Sequence, residues 1–238
     1  MKAIRCILAG LAALGLGAGC ASAPGGVVWA TGSGSTTHDG LQRVRWSDLG
    51  ALFLKPGAGF QGFHAILLEP LQISPEQPGE PHAGFLPDKT FPPTPDYLEK
   101  MQAIYRDSFA REFQGNGFAL ASQPGPGVLR LSGYALDLVL TARLDPQNAI
   151  LENQAVQSFG ELTLVLDVRD AANGTPLLRA MGRQPIAPDP VRGFSVNSIA
   201  ANQQAQRDLF DHQALLLRTQ IQELEQTPAL PPAPAPAR

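Results

Sequence analysis

Thiols are scarce in this chain. Of 238 residues only Cys6 and Cys20 are cysteine, which excludes the disulfide framework that staples many small exported domains. An excess of positive charge is missing as well, with 18 Lys and Arg against 21 Asp and Glu. A partner bound through many phosphates, such as nucleic acid, is therefore not expected. The apolar run near the N-terminus, Cys6 to Leu16, has eleven residues and gives way to Gly17-Ala18-Gly19. It falls short of the roughly 20 residues that a bilayer-spanning helix needs.

Catalytic and metal-ligating patterns are also missing. His38, His64, His82 and His212 are scattered singly, without H-E-x-x-H or a Cys/His cluster. There is no G-x-S-x-G elbow and no S-x-x-K. Gly32-Ser33-Gly34 follows no strand and precedes no G-K-[ST], so it does not read as a phosphate loop. Structural uses account for the acids: Asp137 within a strand, Glu161 and Asp167 on a solvated face, Asp170 at a turn where its side chain can bond the backbone. The sequence leads us to expect no enzyme, no cofactor and no metal.

What is present begins at the N-terminus. Lys2 and Arg5 precede the Cys6 to Leu16 run with no acid between them, the charge and length pattern of a secretory signal. Two cleavage sites compete. Gly17-Ala18-Gly19-Cys20 reads as a lipobox, although Gly17 stands where leucine is usual, and Ala21-Ser22-Ala23 reads as an ordinary A-x-A site that would leave Pro24 first. Cleavage before Cys20 leaves that cysteine as the mature chain's only thiol, and lipidation removes an otherwise reactive group. More than one acyl chain gives stable anchoring where one is marginal. Loss of Lys2 and Arg5 leaves 16 basic against 21 acidic residues, a formal −5. Membrane attachment is thus expected through the acyl chains on Cys20 and not through charge. Ala21 and Ser22, with no aspartate after the cysteine, resemble outer-membrane sorting.

The organisation expected from this is a signal peptide at 1–19, a lipidated N-terminus and Gly/Ser/Thr-rich tether at 20–45, one domain at 46–226, and a disordered Pro/Ala tail at 227–238. Phe63 to Ile73 reads as a strand with Pro70 near its end. Ser74 to Pro95 carries seven prolines and no periodicity. Thr94-Pro95-Asp96 starts a helix whose apolar stripe is Leu98, Met101, Tyr105, Phe109 and Phe113, with Gly115-Asn116-Gly117 stopping it. Gly127 to Ala142 reads as a long strand changing face, with a bulge expected at Ser132-Gly133. Leu162, Leu164, Leu166 and Val168 alternate with polar residues, and Asp170 to Thr175 turns the chain into a second strand, Pro176 to Gln184. After a second Pro-rich loop, Pro185 to Gly193, a last helix carries Phe210, Ala214, Leu217, Ile221 and Leu224 on one stripe. The fold class predicted is α+β: a single domain with a mainly antiparallel sheet of about 4–5 strands and two principal helices packed on it.

Leu54-Lys55-Pro56-Gly57 running into Phe63 to Ile73, the helix ending at Phe113, Gly127 to Leu140, Gly160 to Asp170 with Gly174 and Leu177-Leu178-Arg179-Ala180, and the last helix form a pattern that resembles the uncharacterised bacterial lipoproteins of about 200 residues grouped only as a domain of unknown function. The resemblance covers about Asp48 to Leu224 and implies location and approximate fold; it transfers no functional site. The expected function is a lipid-anchored periplasmic module on the outer membrane that meets an envelope protein or the cell wall. The alternative is a carrier of small molecules or lipids, with an apolar pocket between the sheet and the Leu98 to Phe113 helix. The first requires a filled core and an exposed patch, the second an enclosed cavity.

Overall fold

Three long strands form the backbone of the fold, and each follows from its sequence pattern. The computed structural model describes residues 26–75, 90–142, 155–188, 193, 195–227 and 229–233. Within it β6 (Val128–Leu140), β8 (Gly160–Asp170) and β9 (Pro176–Ile186) run antiparallel side by side. The alternation in β8 buries Leu162, Leu164, Leu166 and Val168. The β8–β9 reversal uses Asp170, whose carboxylate accepts from the Ala172 N–H at 2.9 Å, and Gly174 at φ 75°. Strand β9 extends two residues further than expected, taking Pro185 and Ile186 out of the second Pro-rich loop.

Beyond β9 lie β2 (Ala51–Leu54) and then β1 (Gln42–Arg43), both antiparallel. On the other flank the expected Phe63 to Ile73 strand is two strands, β3 (Ala65–Leu68) and β4 (Gln72–Pro75), interrupted at Glu69-Pro70-Leu71. Both pair with β6, and in parallel. Proline at position 70 cannot donate to a ladder, which explains the break. Two-residue β5 (Ala119–Leu120) pairs in parallel with β3 and ends the sheet. The sheet is therefore mixed and eight-stranded, in the order β1-β2-β9-β8-β6-β3-β5 with β4 also on β6. A separate pair joins β7 (Ala155–Val156) to β10 (Ser195–Val196). The expected 4–5 strands are corrected here, because strands of two to four residues carry no readable periodicity.

The change of face in β6 is real but displaced. Its ladder to β8 shifts register between Leu136 and Val139, not at Ser132-Gly133. Asp137 sits there at φ 51°, and its carboxylate accepts from the Thr163 hydroxyl at 3.3 Å. Before the bulge Leu129, Leu131 and Ala135 point inward; after it Leu138 and Leu140 do.

Both helices cover the same face of the sheet. Helix α1 (Pro95–Gln114) starts as expected: Thr94 caps the Tyr97 N–H at 3.3 Å and Pro95 begins the first turn. Helix α2 (Ile199–Glu225) is capped by Ser198, whose hydroxyl accepts from the Ala201 N–H at 3.1 Å. The stripe Phe210, Ala214, Leu217, Ile221 and Leu224 is buried throughout.

At both ends the described residues extend the packed structure beyond the expected domain bounds. The expected tether extends to residue 45, yet Leu41 and Gln42 are buried, and Thr36 and Trp29 form bridges to Gln42 and Val44. The glycines and hydroxyls act as turn chemistry here: Gly32, Gly34 and Gly40 take positive φ, and the Ser35 hydroxyl bonds the Gly32 carbonyl at 2.7 Å. Val27, Trp29, Leu41 and Val44 supply the burial that a tether lacks. In the tail, Leu230 is 4% exposed and its N–H donates to the Ala58 carbonyl at 2.9 Å.

Candidate functional site

Cys20, the one residue given a chemical role from sequence, lies outside the described residues, as does His82. So do residues 76–89 of the first Pro-rich loop and 189–192 of the second. His38, His64 and His212 sit on separate elements, far apart in sequence. No group of three or more His, Cys, Asp or Glu positioned for a metal occurs among the described residues. No described helix is long and apolar enough to cross a membrane.

Among the described residues the helix–sheet interface, where a carrier would need its cavity, is packed with buried aromatic rings. Tyr105 packs on Phe109 at 4.6 Å between ring centroids and edge-on against Phe210 at 5.6 Å. Phe113 and Phe118 meet edge-on at 5.4 Å. Gly133 owes its identity to this packing, since a Cβ there would lie 2.6 Å from the Tyr105 hydroxyl. Burial pushes the Tyr105 hydroxyl's pKa up, and the charge of Glu69 adds to it. A polar cluster shares the interior: Gln206 Nε2 donates to Asn202 Oδ1 at 2.5 Å, and burial raises Tyr97 beside them.

A depression of about 250 Å³ opens elsewhere, between the outer flanks of α1 and α2, lined by Ser108, Arg111, Glu112, Asp211, His212 and Leu215. Its charges satisfy one another: Arg111 pairs with Asp211, and Glu112 Oε1 accepts from Arg218 Nε at 2.9 Å. The depression is open to solvent and lined by charged side chains, unlike an enclosed lipid pocket.

The face of the sheet turned away from the helices carries the more distinctive arrangement. The turn that carries Asp39, at the β1 edge, reaches onto it. There Arg179 donates to Asp39 at 2.7 Å and reaches Asp167 at 2.8 Å, while Arg169 Nε donates to the other Asp167 oxygen at 2.6 Å. Asp167, expected on a solvated face, has a side chain only 6% exposed, with Arg169 and Arg179 held against its two oxygens. The hydrogen bond from Arg179 holds the Asp39 carboxyl well below the usual carboxylate range. Burial alone would lower Arg179, but Asp39 and Asp167 raise it.

The rest of this face is open. Cross-strand register places Ala51 beside Met181, Met181 beside Val165, and Val165 beside Tyr134, giving an apolar row across four strands. Met181 is 38% exposed and the others are half-buried. Arg183 and Glu161, which pair with each other, border the row. Sequence reading did not find it: Met181 and Val165 are single apolar residues in strands that read as polar on this side, and only the register brings them together.

No family model matches the chain, and no curated protein matches it. Among solved structures it is similar to a PelC dodecamer from Paraburkholderia phytofirmans at 10% identity and a TM-score of 0.35, covering 70% of this chain and 97% of that one. It is also similar to a Xanthomonas campestris protein of the family model DUF330, at 14% identity and a TM-score of 0.32 over 72% of this chain and 89% of that one. A candidate lipoprotein from Caulobacter crescentus CB15 is similar at 18% identity and a TM-score of 0.26, over 53% of this chain and 81% of that one. At these identities and scores nothing about activity or partners passes to this chain. The structure itself defines a single α+β domain with two helices on one face of a mixed sheet.

Proposed function

We propose that the chain is a lipid-anchored, non-enzymatic envelope module, acylated at Cys20, seated on the periplasmic side of the outer membrane, and meeting an envelope protein or the cell wall through the open face of its sheet. The observation that carries the reading is the combination of a filled helix–sheet core with the uncovered row Ala51, Met181, Val165 and Tyr134. Apolar side chains aligned across strands, bordered by an ion pair, have the anatomy of an interaction patch with a polar rim. The export signal and lipobox supply the address, and the missing catalytic motifs support a binding role.

The test is photo-crosslinking in the intact envelope. A benzophenone amino acid at position 181 should give a discrete adduct with a protein or with glycan strands, whereas the same group at Arg106, exposed on α1, should not. Identical adduct patterns from the two positions would count against this face as the contact surface.

A further inference from the structure

We infer that the corner formed by Val28, Arg43, Arg45 and Trp46 is a seat on the membrane surface, where Trp46 enters the interface and the two arginines meet the phosphates of anionic phospholipid. The inference rests on acylation of Cys20.

The first support is the length of the leash. Were residues 20–45 a flexible tether, the domain could stand far from the bilayer. The structure shows the segment packed against the core at Val27 and bonded to Arg45 at Val28, so six residues separate Cys20 from Val27. Their fully extended reach is about 20 Å. A lipid-anchored chain with that reach holds the surface around Gly26 close to the bilayer.

The second support is what that surface presents. The antiparallel bridge between Trp29 and Val44 turns both inward against the core. Their neighbours Val28 and Arg45 are therefore outward and side by side, and the Arg45 N–H donates to the Val28 carbonyl at 2.9 Å. Trp46 follows at 68% exposed, the most open large apolar side chain among the described residues, and Val28 is 46% exposed. The Arg45 guanidinium lies 4.4 Å from the centre of the Trp46 ring. Tryptophan, apolar in body with one polar edge, is favoured at the level of lipid head groups, and a guanidinium suits phosphate. Arg43 and Arg45 form no ion pair among the described residues. The mature chain's net −5 rules out adhesion of the whole body by charge, so the corner orients a domain that the acyl chains already hold.

The experiment uses the full-length, processed protein in vesicles of phosphatidylethanolamine and phosphatidylglycerol whose acyl chains carry bromine near the head group. Tryptophan occurs only at positions 29 and 46, and Trp46→Phe leaves the core untouched. The unsubstituted protein should float with the vesicles and lose most of its Trp46 emission to bromine, Trp46→Phe should float equally with its remaining emission unquenched, and Arg43→Glu/Arg45→Glu should float with the quenching reduced. Flotation with no quenching difference between the unsubstituted protein and Trp46→Phe would overturn the seat while leaving the anchor intact. Failure of the unsubstituted protein to float would overturn the anchor, and the seat with it.

Discussion

Arg179 reaches across 140 positions of sequence to hold Asp39 at 2.7 Å, and the same guanidinium nitrogen is 2.8 Å from Asp167 on the neighbouring strand. One cation thus ties the N-terminal segment to the centre of the sheet. Its two partners are both mostly shielded from water, Asp39 at 18% and Asp167 at 6% side-chain exposure. A pair of this kind is more strongly felt than a surface pair when one partner is removed.

Asp39→Asn should therefore destabilise the protein by about 1–2 kcal/mol near neutral pH, as a charge-assisted hydrogen bond is lost but no charge is newly added to the interior. The folded-state pKa of Asp39 is depressed. Its contribution is then fully present above the unfolded carboxyl value of about 3.9 and is lost as pH falls toward the folded value. Urea midpoints of the two proteins should stay a constant distance apart from pH 8 to about 5 and converge below about 4. A gap that widens on acidification would contradict the assignment.

Parts of this fold were open to sequence reasoning because local rules and tertiary packing agree in them. Leu162 to Val168 alternate, Asp170 to Gly174 reverse the chain, and Phe210 to Leu224 line one stripe. The rest depends on partners distant in sequence. A Gly/Ser/Thr-rich segment looks like a tether until Arg179 and the sheet edge receive it, and Asp167 looks solvated until Arg169 and Arg179 close on it. Trp46 and Met181 gained their meaning in the same way: exposure and register are properties of the assembled sheet. The motif around Cys20 is linear and needs no fold to be read, and it lies outside the described residues.

The bulge in β6 offers a local test of that distinction. Asp137 occupies the left-handed region at φ 51°, which a short polar side chain tolerates and a β-branched one does not. Asp137→Val should lower stability by about 1–2 kcal/mol, whereas Asp137→Gly should fall within about 0.5 kcal/mol of the unsubstituted protein, since glycine accepts positive φ. Equal losses in thermal unfolding for both would mean that the Thr163 contact, and not backbone geometry, determines the residue.

Tyr105 and Gly133 make a second pair. The Tyr105 hydroxyl is fully buried with no hydrogen-bond partner, so Tyr105→Phe should be neutral or should raise stability by up to about 1 kcal/mol. Gly133→Ala should lower it by about 1–3 kcal/mol through overpacking. The double variant should recover only part of that loss. A new Cβ would still meet the ring itself, at 2.7 Å from Cζ and 2.9 Å from Cε2. Denaturant unfolding of the four proteins would give the coupling directly.

In the proposed anchor the chemistry falls to Cys20. Diacylglycerol transfer needs its thiol, and cleavage between Gly19 and Cys20 then frees the amine for a further acyl chain. Serine at this position cannot form the thioether, yet the Cys6 to Leu16 run and the charges of Lys2 and Arg5 remain to direct export. Cleavage after Ala23 uses no thiol and would be indifferent to the change. We therefore expect Cys20→Ser to abolish labelling by palmitate and to move the protein from the membrane fraction to the soluble periplasm or to an uncleaved precursor. Because more than one acyl chain separates stable anchoring from marginal binding, the shift should be nearly complete. The corner at Trp46 should not retain the soluble form on membranes, since the mature body carries a net negative charge. An unmodified mature chain beginning at Pro24 in mass spectra of the unsubstituted protein would refute the anchor.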